Sequence, residues 1–353
     1  MYNIVYITDK NYILPTKISI NSIIQNIADI DITVHVVAVD ISEADIESFR
    51  NLSSKNVVVK IFCFNNKFEN LGRNHLYVSS AALFKFQLPD IFPDLGRILY
   101  VDGDMILFRD SLEIFHFDIS EKYAAVVQDL LACLMGFDKK IGHEKYFNSG
   151  MMYLNLEKMR QDRITELLIE YKKNDGDKSF MDQNALNAIL GKDCIWVSPK
   201  FNMIATCLPE TINMIYKDGK PFLHMADFYG ITETEMKIAW QNPAILHMAG
   251  ETKSWKNISA ARIDDLIPYV LPNDMLKVAK NYCVSLSDDF MEHFSRLQEK
   301  CSEQERRISE QEGKIEALQM KLSETYSLLI NTRHRTLYGA CAWLSHKLFK
   351  KKD

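Results

Sequence analysis

The chain has 353 residues, of which 47% are hydrophobic and 25% charged, with a formal net charge of -5. This length accommodates one α/β catalytic domain with added elements or two ordinary domains, and the apolar fraction excludes a chain disordered throughout. The mild acidity excludes a generic nucleic-acid binder, so no nucleic-acid partner is expected.

The N-terminal stretch MYNIVYITDKNY lacks a basic leader, a long apolar core and a small-residue cleavage site, so no secretory signal is expected. Asn3–Thr8 reads as a buried first strand that ends in a polar loop at Asp9, Lys10 and Asn11. Pro15–Ile27 carries apolar residues at helical spacing, and Thr33–Val39 reads as a second apolar strand. Ser42–Arg50 follows as a short helix with Ser42 at its N-cap, and Val57–Phe64 as a third strand. This β-α-β-α-β order predicts a parallel, doubly wound sheet with helices on both faces. Ligands of such sheets sit at the carboxyl ends of the strands, where Asp9, Asn11 and Tyr12 fall.

Ala81–Leu88 is apolar and predicts a helix, with Pro89 and Pro93 at its exit. Arg97–Val101 is a buried strand that runs into Asp102-Gly103-Asp104. Strands are expected at Tyr123–Val127 and near Met151–Leu154, and helices over Arg163–Tyr171 and Asp182–Leu190. The globular pattern fades near Val270, so the domain reading is a catalytic domain over 1–270, a linker over 271–293, a coiled coil or long amphipathic helix over 294–330, and a basic tail over 331–353. No run approaches the roughly 20 apolar residues of a membrane span. Seven scattered cysteines without CxxC spacing indicate neither a disulfide framework nor a zinc site, and most are expected as buried thiols of a reducing compartment.

Two acids one residue apart at a strand end can share a face, and Gly103 between them permits a tight backbone path. Hard oxygen ligands suit Mg²⁺ or Mn²⁺ bound to phosphates, although a solvated turn has the same look. His247 follows the apolar run Ala244–Leu246 and precedes Gly250, Lys253 and Trp255. An imidazole ligand would favour Mn²⁺ over Mg²⁺; Gly250 and Lys253 would receive a phosphate. The plain alternative is a satisfied core histidine. His224, in PFLHMAD, has no Gly-x-x-Lys after it and is read as structural.

The stretches ILYVDGDMILFRDSL, YFNSGMMYLNLEKMR, FMDQNALNAIL, PKFNMIA and LHMAGETKSW, in that order after ITDKNY, resemble glycosyltransferase family 8 over roughly residues 1–260. This is the retaining family that includes bacterial lipopolysaccharide α-galactosyl- and α-glucosyltransferases and glycogenin. The resemblance implies an α/β GT-A-type nucleotide-binding fold with a mostly parallel twisted sheet, here followed by a C-terminal helical extension. It implies a UDP-hexose donor, a saccharide or lipid-linked glycan acceptor, and Mn²⁺ held by Asp102, Asp104 and His247. Gly103 belongs to the same motif, and Gly250 and Lys253 match phosphate contacts. Thr8, Asp9, Asn11 and Tyr12 match the uridine site, with Lys10 where many relatives have an acid. Lys85 matches a basic donor-site residue that is often Arg. Asp129, Asn148, Ser149, Asp182 and Gln183 match the donor-sugar pocket, with Gln183 near the anomeric carbon and Asp182 or Asp129 as alternative transient nucleophiles. Without the resemblance, Asn148-Ser149-Gly150 fits a polar turn and Asp182 a helix-terminal acid. A nucleotidyltransferase is the competing enzyme class, but ITDKNY lacks the glycine-rich phosphate loop such enzymes carry. A catalytically dead glycan-binding or scaffold protein is the other alternative, and the complete Asp102, Asp104, His247 and Lys253 set argues against it.

Beyond the catalytic region, Phe294, Cys301, Ile308, Ile315, Leu322 and Leu329 recur every seven residues, beside a mixed seam of Leu297, Gln304, Gln311, Leu318 and Thr325. This pattern predicts a coiled coil and a homodimer, with a single amphipathic helix as the alternative. The tail carries Arg333, Arg335, Lys347, Lys350, Lys351 and Lys352 among Leu337, Tyr338, Trp343, Leu344, Leu348 and Phe349. That composition predicts attachment to an anionic membrane from the cytosolic side, with a solvated tail or a docking strip as alternatives.

Overall fold

The computed structural model describes residues 2–27, 29–68, 80–174, 182–205, 215–217, 220–250, 253, 255–256 and 262–283. The predicted coiled coil and basic tail lie outside these residues. The chain divides into two units, Met1–Met248 and Ala249–Asp353.

The first unit opens with β1 (Tyr2–Thr8), α1 (Ile13–Asn26), β2 (Ile32–Val39), α2 (Glu43–Arg50) and β3 (Val57–Phe64). Strands β1, β2 and β3 pair in parallel. Every residue of β2 is buried, as a central strand covered on both faces requires, whereas β3 at the sheet edge alternates. Ser42 caps α2 as expected, its hydroxyl accepting from Asp45 N at 3.2 Å. The apolar stretch after the third strand is helical as expected over Ala81–Leu88, but mostly in the tighter 3-10 form. Ser80–Gln87 is a 3-10 helix, and only the short α3 (Leu88–Ile91) after it is α-helical.

Next come β4 (Arg97–Val101), β5 (Met105–Leu107), a 3-10 turn (Arg109–His116), β6 (Ala124–Gln128), α4 (Leu130–Leu134), α5 (Phe137–Lys140) and β7 (Phe147–Asn155). Helices α6 (Leu156–Gln161), α7 (Ile164–Asn174) and α8 (Gln183–Leu190) follow, then β8 (Cys194–Trp196). The main sheet has the order β3-β2-β1-β4-β7-β6-β8. Strand β1 is parallel to β4 and β6 to β8, but β7 is antiparallel to both of its neighbours. The sheet is thus mostly parallel, as expected, with β7 the one reversed strand. The reversal has a consequence for the site: it brings the start of β7 to the carboxyl ends of β4 and β6. Apolar residues of α8, including Ala185, Leu186 and Leu190, join the sheet core and fix that helix against the same region.

The unit ends with a 3-10 turn (Pro199–Asn202), β9 (Met203–Ile204), β10 (Ile215–Lys217), β11 (Lys220–Leu223), α9 (Met225–Tyr229), α10 (Glu233–Gln241) and β12 (Ile245–His247). Strands β5, β12 and β9 form a second sheet, with β12 central. Helix α1 holds its edge: Ser22 Oγ accepts from Leu107 N at 2.9 Å and Asn26 Nδ2 donates to Leu107 O at 2.7 Å. His224 is the residue before α9, with its ring facing Glu233 and Asp227.

The second unit includes α11 (Ile263–Leu266) and α12 (Pro272–Cys283), so the stretch read as a linker begins with a three-turn helix. Of the three cysteines whose side chains are described, Cys194 is buried, Cys133 half-buried and Cys63 exposed. No helix among the described residues is long and apolar enough to cross a membrane.

His35, in the centre of β2, is buried between the rings of Phe62 and Phe92, and its Nε2 meets Asn3 Oδ1 at 3.0 Å. Burial, and to a smaller extent Lys60, push its imidazole down to about 4. Between that value and the ordinary 6.5, the unfolded chain binds a proton that the folded chain refuses. Stability is therefore fully present above pH 6.5 and falls as pH drops toward 4, by about 3 kcal/mol at most from this residue. His35→Gln is expected to flatten the melting temperature between pH 6.5 and 4; an unchanged slope would remove His35 as its source.

Candidate active site

The carboxyl ends of β1, β4 and β6, the start of β7 and the start of α8 meet in one place. Each delivers side chains that the sequence had singled out. At the end of β4, Asp102 N donates to Gly150 O of β7 at 2.7 Å, so the acid pair is anchored as it leaves the sheet. In the second sheet, His247 pairs with Met105, the residue after Asp104, and Met248 N donates to Asp104 O at 2.8 Å. This pairing brings together residues more than 140 positions apart. His247 Nε2 lies 3.4 Å from Asp104 Oδ1. Ligand atoms of Asp102, Asp104 and His247 all lie within 4.8 Å of one another.

Gly103 has a specific reason to be glycine, and it is packing rather than an unusual backbone angle. A Cβ there would run into Thr16 Oγ1 on α1. Thr16 Oγ1 also donates to Thr8 Oγ1 at 3.2 Å, so the acid turn and the end of β1 share one contact. Beyond Thr8, Asp9 Oδ1 accepts from Asn11 N at 2.8 Å and Asp9 O from Tyr12 N at 3.0 Å. This is an Asx turn that feeds Tyr12 into the start of α1. Gly150 is constrained too: a Cβ there would crowd His247 Cε1, Asn148 Oδ1 and Met105 Cε at 2.6–2.9 Å.

Lys85 projects from the 3-10 helix into the middle of the site and is only 3% exposed. Its ammonium lies 2.8 Å from Asp182 Oδ2 and 3.2 Å from Asp102 Oδ1, and it donates to Ser149 O and Oγ. Burial alone would lower its proton affinity, but the charges of Asp102 and Asp182 outweigh burial and hold it above the ordinary lysine value. Tyr100 lies under this ammonium, and its OH donates to Asp102 Oδ1 at 2.5 Å. Burial first, and then the negative charge of Asp102, push the phenol well above its usual value, so it stays a donor.

The remaining pocket residues form a connected set. Ser149 Oγ donates to Asp182 Oδ2 at 2.7 Å. Gln183 Oε1 accepts from Ser149 N at 3.0 Å, and Gln183 Nε2 donates to Asp129 Oδ2 at 3.0 Å. Asn148 Nδ2 donates to the same Asp129 oxygen at 3.0 Å, while Asp129 Oδ1 caps α4 through Ala132 N. Asp182 precedes α8 but makes no side-chain cap there, turning to Lys85 and Ser149 instead. Its alternative reading as a helix-terminal acid thus applies to its position and not to its contacts.

In the second unit, Gly250 adopts φ 109°, a conformation that favours glycine, and Lys253 Nζ lies 5.4 Å from the centre of the Trp255 ring. Sequence reasoning missed three residues with direct contacts to the predicted set: Tyr100, Thr16 and Asn202. Asn202 Oδ1 lies 2.9 Å from His247 Nδ1. Tyr100 was findable, since it stands two residues before Asp102 on the same face of a strand.

Four carboxylates, Asp102, Asp104, Asp129 and Asp182, thus gather at the ends of the strands, and two of them, Asp102 and Asp182, pair with the Lys85 ammonium. Three of the four are buried and Asp102 is half-buried. Two of these acids and an imidazole converge as hard and borderline ligands that fit Mn²⁺ or Mg²⁺, and the surplus negative charge fits a divalent cation. The mostly parallel sheet of this GT-A-type fold carries the carboxylate cluster at the carboxyl ends of its strands, where ligands of such sheets bind. The match to the family model for glycosyl transferase family 8 covers residues 3–259, and the chain belongs to that family. It is a glycosyltransferase. The lipopolysaccharide 1,2-glucosyltransferase of Escherichia coli K12 is 24% identical over 262 residues, 72% of each chain. General stress protein A of Bacillus subtilis is 28% identical over 192 residues, spanning 51% of this chain and 61% of that protein. The solved galactosyltransferase LgtC, in complex with donor and acceptor sugar analogs, superposes with a TM-score of 0.65 at 21% identity, over 78% of this chain and 99% of that one.

Proposed function

We propose that the protein transfers a hexose, galactose or glucose, from a UDP-sugar to a saccharide acceptor of a surface glycan such as lipopolysaccharide, using Mn²⁺. The observation that carries this reading is the convergence of Asp102, Asp104 and His247 beside the Lys85 pocket. The relative named for glucosyl transfer to lipopolysaccharide supports the substrate class. Asp102, Asp104 and His247 would hold the ion, which when bound neutralises charge on a departing diphosphate. Gly250 and Lys253 are assigned to the phosphates, and Thr8, Asp9, Asn11 and Tyr12 to the uridine.

The pocket's hydrogen bonds favour same-face transfer without a covalent intermediate. Both ends of the Gln183 amide are engaged, one by Ser149 N and the other by Asp129. Asp129 accepts two amides and caps a helix, and Asp182 is paired with Lys85 and Ser149. Carboxylates held in this way are weak nucleophiles. The acceptor oxygen then bonds to the anomeric carbon as the bond to the diphosphate oxygen breaks, and the acceptor proton passes to the leaving phosphate. Preorganised charge and position supply the rate.

UDP release from UDP-glucose, UDP-galactose and UDP-N-acetylhexosamines with Mn²⁺ tests the reading. One hexose donor is expected to dominate. Asp104→Asn is expected to lower kcat/KM by at least a hundredfold, about 3 kcal/mol, with little change in melting temperature. Near wild-type turnover would overturn the metal assignment. Pyrophosphate release instead of UDP release would favour a nucleotidyltransferase, and silence with every donor an inactive binding protein.

The basic amphipathic tail, residues 331–353, is proposed to hold the enzyme on the cytosolic face of a membrane beside a lipid-linked acceptor, and residues 294–330 to pair two copies. The full chain is expected to float with anionic liposomes at low salt, and a chain ending at Asn331 to stay behind. Equal flotation would sink the anchor.

A further inference from the structure

We infer that Asn202 is a positioning residue of the metal centre: it presets the tautomer of His247 so that Nε2 is the ligand, and it ties that choice to the sugar pocket. The inference rests on the proposed metal reading of the site.

The orientation of each amide follows from fixed groups. Gly150 N can only donate, and it points at Asn148 Oδ1 at 3.0 Å. Asp129 Oδ2 accepts, and it faces Asn148 Nδ2 at 3.0 Å. Two independent partners therefore set the Asn148 amide, oxygen toward Gly150 and nitrogen toward Asp129. The same Asn148 oxygen lies 3.0 Å from Asn202, which must turn its Nδ2 toward it. That leaves Asn202 Oδ1, an acceptor, 2.9 Å from His247 Nδ1. Nδ1 must carry the hydrogen. Nε2 then faces Asp104 Oδ1 at 3.4 Å, the geometry of an imidazole prepared to bind a cation between itself and the acid.

A ligating histidine usually has its second nitrogen fixed by an oxygen, and losing that partner typically lowers metal affinity 10–100-fold. Here the partner is buried, only 3% exposed, so water does not readily replace it. The chain continues from Asp129 through Gln183 and Ser149 to Asp182, Lys85 and finally Asp102. Both arms of the metal cluster are thus hydrogen-bonded to the pocket assigned to the donor sugar. Disturbing one amide in the middle is expected to change metal binding before any sugar is present.

The test compares Asn202→Ala with Asn202→Asp, measuring Mn²⁺ affinity calorimetrically without nucleotide, together with melting temperature. Asn202→Asp keeps an oxygen for Nδ1–H but loses the donor to Asn148. Both variants are expected to melt lower than the wild type. Asn202→Ala is expected to bind Mn²⁺ 10–100-fold more weakly, while Asn202→Asp stays within about threefold of the wild type. Affinity that falls equally in both variants, in step with stability, would reduce Asn202 to a packing role and overturn the inference. So would wild-type affinity in Asn202→Ala. If Asn202→Ala does not fold, nitrogen-15 shifts of His247 in the metal-free wild type decide: a proton on Nδ1 supports the inference and a bare Nδ1 refutes it. Failure of the wild type to bind Mn²⁺ at all would instead defeat the metal reading beneath it.

Discussion

A cluster of like charges held together in the folded chain is the constraint on which the rest of the site depends. Asp102 and Asp104 come from one turn and Asp129 and Asp182 from two helix starts, and one buried lysine pairs with Asp102 and Asp182. Removing several carboxylates from water is costly unless each finds a donor or a cation. Lys85 serves two of them, Tyr100 and Ser149 add donors, and the amides of Asn148 and Gln183 serve Asp129. Asp104 and Asp102 also face His247 across a gap suited to a metal ion. The cluster therefore suits positive charge, and in the proposed reaction that charge would be a divalent ion beside the departing diphosphate.

The sheet exists in a form that makes this clustering possible. Strand β7 runs against its neighbours, so its first residues, and not its last, reach the carboxyl ends of β4 and β6. Asn148 and Ser149 enter the pocket by this reversal. The second sheet adds the late histidine by pairing β12 with the strand that directly follows the acid turn. Close packing then demands small residues at two points. Gly103 lies against Thr16, and Gly150 lies under His247. Each glycine is explained by a neighbour it would otherwise strike.

Much of this was legible in the residues. The apolar runs of β1, β2 and β4 stand out because buried parallel strands are continuously hydrophobic. Ser42 announced its helix through a local hydrogen bond. Asp102, Asp104 and His247 were recognisable as ligand types, and the order of the flanking stretches indicated the family. The reversal of β7 was not legible, because its residues read as a buried strand whichever way it runs. The 3-10 form of Ser80–Gln87 was missed because apolar spacing over eight residues cannot separate a three-residue from a 3.6-residue turn. Asn202 was hidden for a different reason. Its partners, Asn148 and His247, lie 54 and 45 residues away, and only the folded chain brings them within hydrogen-bond reach.

The proposed chemistry requires Asp102, Asp104 and His247 to form a prebuilt divalent cation site. Crystals soaked with Mn²⁺ and UDP, measured at the manganese absorption edge, test it directly. One anomalous peak is expected, bonded to both carboxylates and to Nε2 of His247, with Nδ1 still on Asn202. A peak elsewhere, or a fully occupied UDP site with no manganese between these three residues, would contradict it.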